Sequence, residues 1–278
     1  MIRKWLRPIG WVVGLLLIGA AVYIAARQAD FGPLAGASPW TLAALGGLVM
    51  ANLLVTAALF QIVTRSFDAE PPVGHGVMFK LICASGLLNY LPLRAGLIGR
   101  AAYLKAKHNL PLRQSLVILG VILATGALVL GSTAAAVLLA GEAHRAVACA
   151  AALLAMLALA PLTGPVASRV LRRRVFGAWT WLPLRAVDMM IGGAKLMLAC
   201  HALDVQISFE HALALRAVGS IIDMAGVTPN GLGLREWAMT AMYPPALAAA
   251  VVERAIETVV LIVAGLVCLS RLGRVASD

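Results

Sequence analysis

The chain is 278 residues long, 62% hydrophobic and only 13% charged, with a mean hydropathy of +0.92 and a formal net charge of +11. A soluble domain averages about 45–50% apolar and about 25% charged residues, so the composition excludes a water-soluble globular domain and specifies an integral membrane protein. The basic excess is read as cytoplasmic loops rather than as a nucleic-acid surface, and no nucleic-acid partner is expected.

Spanning helices need about 20 mostly apolar residues. In chain order, the sequence predicts the first over Ile9–Ala26, behind a basic start and read as an anchor rather than a cleaved signal. The second runs over Trp40–Val63. A short apolar segment, Val77–Leu91, then ends at Pro92. Leu112–Ala140 is either one tilted helix or one broken near Gly131. Ala146–Val166 follows, then the basic stretch Arg169–Arg174. Leu182–Leu203 is the fifth span. Ala212–Val227 is a second short segment, ending at Thr228-Pro229, and the last span is Leu247–Leu269. Arg235–Pro245 is left open, helix or not. The expectation is an all-α protein with about six transmembrane helices and two short, broken segments.

Charge asymmetry orients this arrangement. With both termini cytoplasmic, seventeen of the 23 Lys and Arg fall on the cytoplasmic side, four (Arg27, Arg145, Arg216, Arg235) on the other, and Lys195 and Arg254 within spans. The bias holds only if each short segment returns to the side it entered. The two are therefore expected to be re-entrant, at about 77–100 and 212–236, within one polytopic domain over 1–278 whose halves lie at about 40–140 and 182–278. Re-entrant backbone must be buried in protein or line a polar cavity.

The two breaks are alike. Pro92-Leu-Arg-Ala-Gly96-Leu97 and Pro229-Asn-Gly-Leu-Gly233-Leu234 both read P-x-x-x-G-L, and charge follows each: Arg100 in one, Arg235 and Glu236 in the other. Proline ends a helix, glycine permits the turn, and a helix restarting beyond it directs free N–H groups inward, where an arginine such as Arg94 or Arg100 completes a phosphate site. Matching breaks in both halves suggest inverted-topology repeats with a binding site between them. The alternative is an ordinary loop with a Pro-Gly turn.

These stretches resemble the membrane domain shared by lysylphosphatidylglycerol synthase/flippases and their standalone relatives. Asn89, Pro92, Gly96 and Arg100 fit the first family element. Thr228, Pro229, Gly231, Gly233, Arg235 and Glu236 fit the second, and Arg254 fits an arginine of the final helix. The helix after the first element, from Leu112, lacks the arginine and acidic pair of the family pattern. The resemblance implies a flippase-like part alone, because the aminoacyl-transfer reaction of the large synthases belongs to a separate soluble domain for which the chain, ending at Asp278, leaves no room.

Charges within spans complete the candidate set. Arg185, Asp188 and Lys195 share a face of the fifth span, with Arg185 and Asp188 at pairing distance and Lys195 needing a partner from another helix. Glu253, Arg254 and Glu257 cluster in the last span, and Asp223 lies in the second short segment. They form either a polar lipid-binding cavity or structural ion pairs between helices. The expected substrate-binding residues are Asn89, Pro92, Arg94, Gly96, Arg100, Lys195, Asp223, Thr228, Pro229, Gly231, Gly233, Arg235, Glu236, Arg254 and Glu257. No catalytic residue, metal or cofactor is expected: the cysteines and histidines show no ligand spacing, no base accompanies a nucleophile, and no P-loop is present. The leading expectation is a flippase-like transporter of an anionic or polyprenyl-linked lipid in the cytoplasmic membrane. The alternatives are a non-transporting subunit that supports a lipid-modifying enzyme or glycosyltransferase, and an intramembrane enzyme using Glu236 as acid or base.

Overall fold

The computed structural model describes residues 36, 38–67, 69–90, 95–175, 177–225, 228, 231 and 233–277, together with Gly19 and Tyr23. The expected first span, those two residues aside, and the candidate residues Pro92, Arg94 and Pro229 lie outside them. Among the described residues every regular element is a helix: α1 (Pro39–Arg65), α2 (His75–Leu88), α3 (Ala95–His108), α4 (Leu112–Leu139), α5 (Arg145–Leu171), α6 (Trp181–His201), α7 (Phe209–Ala225), α8 (Leu234–Met242) and α9 (Ala246–Ser277).

Four of these are long and apolar enough to cross a membrane: α1, α4, α5 and the Ala246–Leu272 part of α9. Each spans at least 27 residues, or about 40 Å at 1.5 Å per residue, against a hydrocarbon core of about 30 Å. α4 runs unbroken through Gly131, because a lone glycine keeps its N–H and does not interrupt the hydrogen-bond ladder as proline does. α5 stays helical through Pro161 and Pro165, which membrane helices tolerate. α6 occupies the expected fifth span. Its 21 residues include Arg185, Asp188 and Lys195, and it is not one of the four apolar helices.

The remaining helices are shorter. α2 has 14 residues and α7 has 17, or about 21 and 26 Å, both less than the hydrocarbon core. α8 fills much of the stretch left open by the sequence and stops before Pro244, where the chain loses an amide donor.

The packing is nearly unchanged when α1, α2, α3 and α4 are exchanged for α6, α7, α8 and α9. α2 lies against α9, and α7 lies against α4. α1 meets α2 as α6 meets α7, and α3 follows α2 as α8 follows α7. The pair α1–α6 maps onto itself, while α5 packs on α4 and α6 outside the exchange. Three apolar clusters fill the interior. One joins α1 to α4, one joins α6 to α9 and includes Leu45 of α1, and one joins α4, α5, α6 and α7. The second is rich in alanine: Ala246, Ala249 and Ala250 are fully buried, which lets helix backbones approach closely.

Candidate functional site

The charged side chains of the second half converge. α6 contributes Lys195, α7 Arg216 and Asp223, α8 Arg235 and Glu236, and α9 Glu253, Arg254 and Glu257. Glu253 is the hub. One of its oxygens is 2.7 Å from Arg235 Nη2, and the other is 3.6 Å from Lys195 Nζ and 3.9 Å from Arg216 Nη1. Arg235 Nη1 also faces Asp223 at 3.8 Å and Glu257 at 3.6 Å. Arg254 donates from Nε to Glu236 at 3.1 Å and reaches Asp223 at 3.6 Å. Four cations balance four carboxylates, which is how such a group remains tolerable in a low-dielectric interior. Arg235, Lys195 and Glu236 are completely buried, whereas the Asp223 side chain is 27% exposed. The network therefore has a sealed centre and an open edge at Asp223.

The backbone is shaped to hold it. Gly231 and Gly233, beside the second break, have φ of 70° and 78°, the left-handed region that favours glycine. A Cβ at Gly231 would collide with the Asp223 carboxylate. After the first break, a Cβ at Gly96 would collide with the Ser85 carbonyl and come within 2.6 Å of Asn89 Oδ1. Three further glycines form slots for arginines: Gly126 for Arg185, Gly192 for Arg216 and Gly219 for Arg235.

A second polar group adjoins the first. Asp188 on α6 accepts from Asn52 Nδ2 at 2.5 Å and Thr56 Oγ1 at 3.3 Å through one oxygen, and from Arg185 Nη1 at 2.8 Å through the other. Asn52 and Thr56 are one turn apart on α1 and face the same carboxylate.

Between the two groups lies a cavity of about 300 Å³. Its polar wall consists of Asn52, Thr56, Asn89, Arg185, Asp188, Arg216, Ser220 and Asp223, and its apolar wall includes Phe60, Leu97 and Leu119. Asn89 caps the C-terminus of α2 and Asp223 lies in the last turn of α7, so the helices preceding the two breaks end at one cavity. Tyr90 adds a tether. Its hydroxyl is 2.9 Å from Thr258 Oγ1, whose own hydrogen goes to the Arg254 carbonyl. Tyr90 is therefore the donor, fixing the first break to α9.

Of the sequence candidates, Asn89 and Asp223 line the cavity. Lys195, Arg235, Glu236, Arg254 and Glu257 belong to the ion network behind Asp223. Thr228 is buried in the second break, Gly231 and Gly233 supply its positive-φ backbone, and Gly96, inside α3, lets that helix approach Ser85 and Asn89 closely. Arg100 stands apart. It lines an apolar cleft behind Phe60, with its guanidinium carbon 3.9 Å from that ring's centroid. Arg185 and Asp188 stood out in the sequence as a pair on one face of the fifth span, Arg216 only as a charge near a short segment, and Asn52 and Thr56 were not singled out. The available signal for Asn52 was an amide in the middle of an apolar span. Among the described residues no group of three His, Cys, Asp or Glu is arranged to hold a metal ion. The chain matches no protein-family model, no curated protein and no solved structure.

Proposed function

We propose that the protein is a flippase-like transporter that passes the head group of an anionic lipid through the cavity bounded by Asn89 and Asp223, while the acyl or polyprenyl tails remain in the bilayer of the cytoplasmic membrane. The observation that carries this reading is that the helices preceding both breaks end at one polar cavity, at Asn89 and Asp223. Breaks of this kind place charged and hydrogen-bonding groups at membrane depth without exposing backbone to lipid. The volume of about 300 Å³ is at the lower end of small-molecule sites, about 300–1,000 Å³, and suits a head group rather than a whole lipid. Arg185 and Arg216 supply the attraction for phosphate. Asp188 holds the Arg185 guanidinium and Glu253 faces that of Arg216, balancing them when the cavity is empty of anion.

Re-entrant folding of α2–α3 and α7–α8 follows on this reading. With α1, α4 and α5 each crossing once, α6 enters from the side opposite to α1, and the exchange of α1–α4 for α6–α9 relates inverted halves. The positive-inside bias supports the same arrangement. The Arg235 guanidinium, sealed among three carboxylates, acts here as the support of Asp223 rather than as the phosphate ligand. The resemblance to the lysylphosphatidylglycerol flippase domain favours an amphiphile of that general class.

Reconstituted vesicles with fluorescent phosphatidylglycerol test this. Wild type is expected to translocate it, and Arg216→Gln to slow it by about tenfold or more, the scale of one lost charge-assisted contact. Equal rates in a folded Arg216→Gln protein would remove the cavity from the path. One observation favours the second reading, a membrane subunit supporting a lipid-modifying enzyme. Arg169, Arg172 and Arg174 form an exposed basic group at the end of α5, fit to dock an acidic partner or anionic lipid. A wild type that moves no lipid but co-purifies with such an enzyme would favour it.

A further inference from the structure

Arg100 differs electrostatically from the other buried arginines. Arg185, Arg216, Arg235 and Arg254 each have a carboxylate within 4.0 Å. Arg100 is 9% exposed, and among the described residues no carboxylate or hydrogen-bond acceptor holds it. Its recorded contact is the face of Phe60. A ring face compensates a buried guanidinium only in part, and a buried charge without a counter-ion is costly. The site is incomplete without an anion.

The cleft that Arg100 lines has the shape for an amphiphile. It encloses about 390 Å³ between α1, α3 and α4, and Arg100 is the one charged residue among its described walls. Leu97, Leu104 and Leu119 line it, while Ile98, Leu112 and Leu116 at its mouth are 60%, 54% and 60% exposed. Exposed leucine and isoleucine on membrane helices face hydrocarbon, so the cleft opens sideways into the bilayer. Lys105 and Arg113, next in sequence to the lining residues Leu104 and Leu112, are exposed and add positive potential outside it.

We propose that this cleft binds an anionic lipid of the surrounding bilayer, with its phosphate paired to Arg100 and one acyl chain along Ile98, Leu112 and Leu116. The cleft and the cavity share Phe60, Leu97 and Leu119 in their linings, but Arg100 lines the cleft and not the cavity, whereas Asn89 and Asp223 line the cavity and not the cleft; the proposal does not depend on transport.

The test uses the full chain in phosphatidylcholine nanodiscs containing a trace of phosphatidic acid with a photoreactive diazirine in one acyl chain, compared with phosphatidylcholine carrying the same chain. The phosphatidic acid is expected to label α3 and α4 at least about tenfold more, the ratio that a charge-assisted contact to guanidinium supports. Arg100→Gln is expected to reduce its labelling to the phosphatidylcholine level. Leu116→Trp, which fills the cleft and leaves Arg100 in place, is expected to do the same and carries the test if Arg100→Gln does not fold. Equal labelling of the wild type by both lipids, or an undiminished preference in a folded variant, would overturn the proposal. So would loss of labelling in excess inorganic phosphate, because it would identify a free-anion site with no use for the chain.

Discussion

Glu253 carries more of the buried charge than any neighbour, since Lys195, Arg216 and Arg235 all turn to it. Removing one partner from a buried ion pair leaves an uncompensated charge and costs about 3–5 kcal/mol. Glu253→Gln is therefore expected to destabilise the fold by that order, read as a lower midpoint of thermal unfolding in detergent. Asn52→Leu removes one hydrogen bond to the Asp188 carboxylate, leaves the Arg185 pair, and should cost less, about 1.5–3 kcal/mol. Equal losses in the two variants would contradict the hub assignment. The sequence made some of this legible. The spacing of Arg185 and Asp188 anticipates their 2.8 Å pair, and the depth of Lys195 demands a partner on another helix, which Glu253 supplies. It did not indicate that Arg254, three residues from Glu257, would reach across to Glu236 on α8. Pairing within a helix is visible as spacing, whereas pairing between helices depends on how they dock.

At the scale of elements, the site depends on two short helices and the turns that follow them. Gly231 meets two constraints at once, a φ of 70° and the Asp223 carboxylate lying where a Cβ would go. The backbone constraint alone costs about 1–2 kcal/mol for an L side chain. Gly231→Ala is thus expected to lower stability by at least that amount and to displace Asp223. Gly120→Ala in α4, where nothing lies within 4 Å of a new Cβ, should change stability by no more than about 0.5 kcal/mol. Matched thermal melts of the two variants check the contrast. Helix positions were mostly legible, because apolar runs and prolines mark them directly. Whether α4 breaks at Gly131, and whether the residues after Arg235 form a helix, were not. Glycine is permissive rather than decisive, and α8 is short and amphipathic, stabilised by packing on α7 and α9 rather than by its own sequence.

At the scale of the molecule, the packing repeats under exchange of the two sets of four helices while the chemistry does not. The buried carboxylate network belongs to α6–α9, and α4, the counterpart of α9 in the exchange, carries no carboxylate and only Arg113 as a charge over Leu112–Leu139, whereas α9 carries Glu253, Arg254 and Glu257. The shared P-x-x-x-G-L breaks made the repeat legible. The cavity was not, because Asn52 and Asp188 lie 136 residues apart and meet only when α1 docks on α6. The inverted arrangement has its own test. Single cysteines at Glu142 and at Arg174, introduced in a background without native cysteines, should react with an impermeant thiol reagent from opposite faces of sealed vesicles. Reaction from the same face would contradict a single crossing by α5.

The most direct measurement of the central claim places one cysteine in the cavity wall, Ser220→Cys, in that same background, and follows translocation of fluorescent phosphatidylglycerol in vesicles before and after modification with a small anionic thiol reagent. The account predicts that modification lowers the rate by about tenfold or more, in keeping with a lost charge-assisted contact, and that reduction restores it. Complete modification with an unchanged rate would show that the head group does not pass between Asn89 and Asp223.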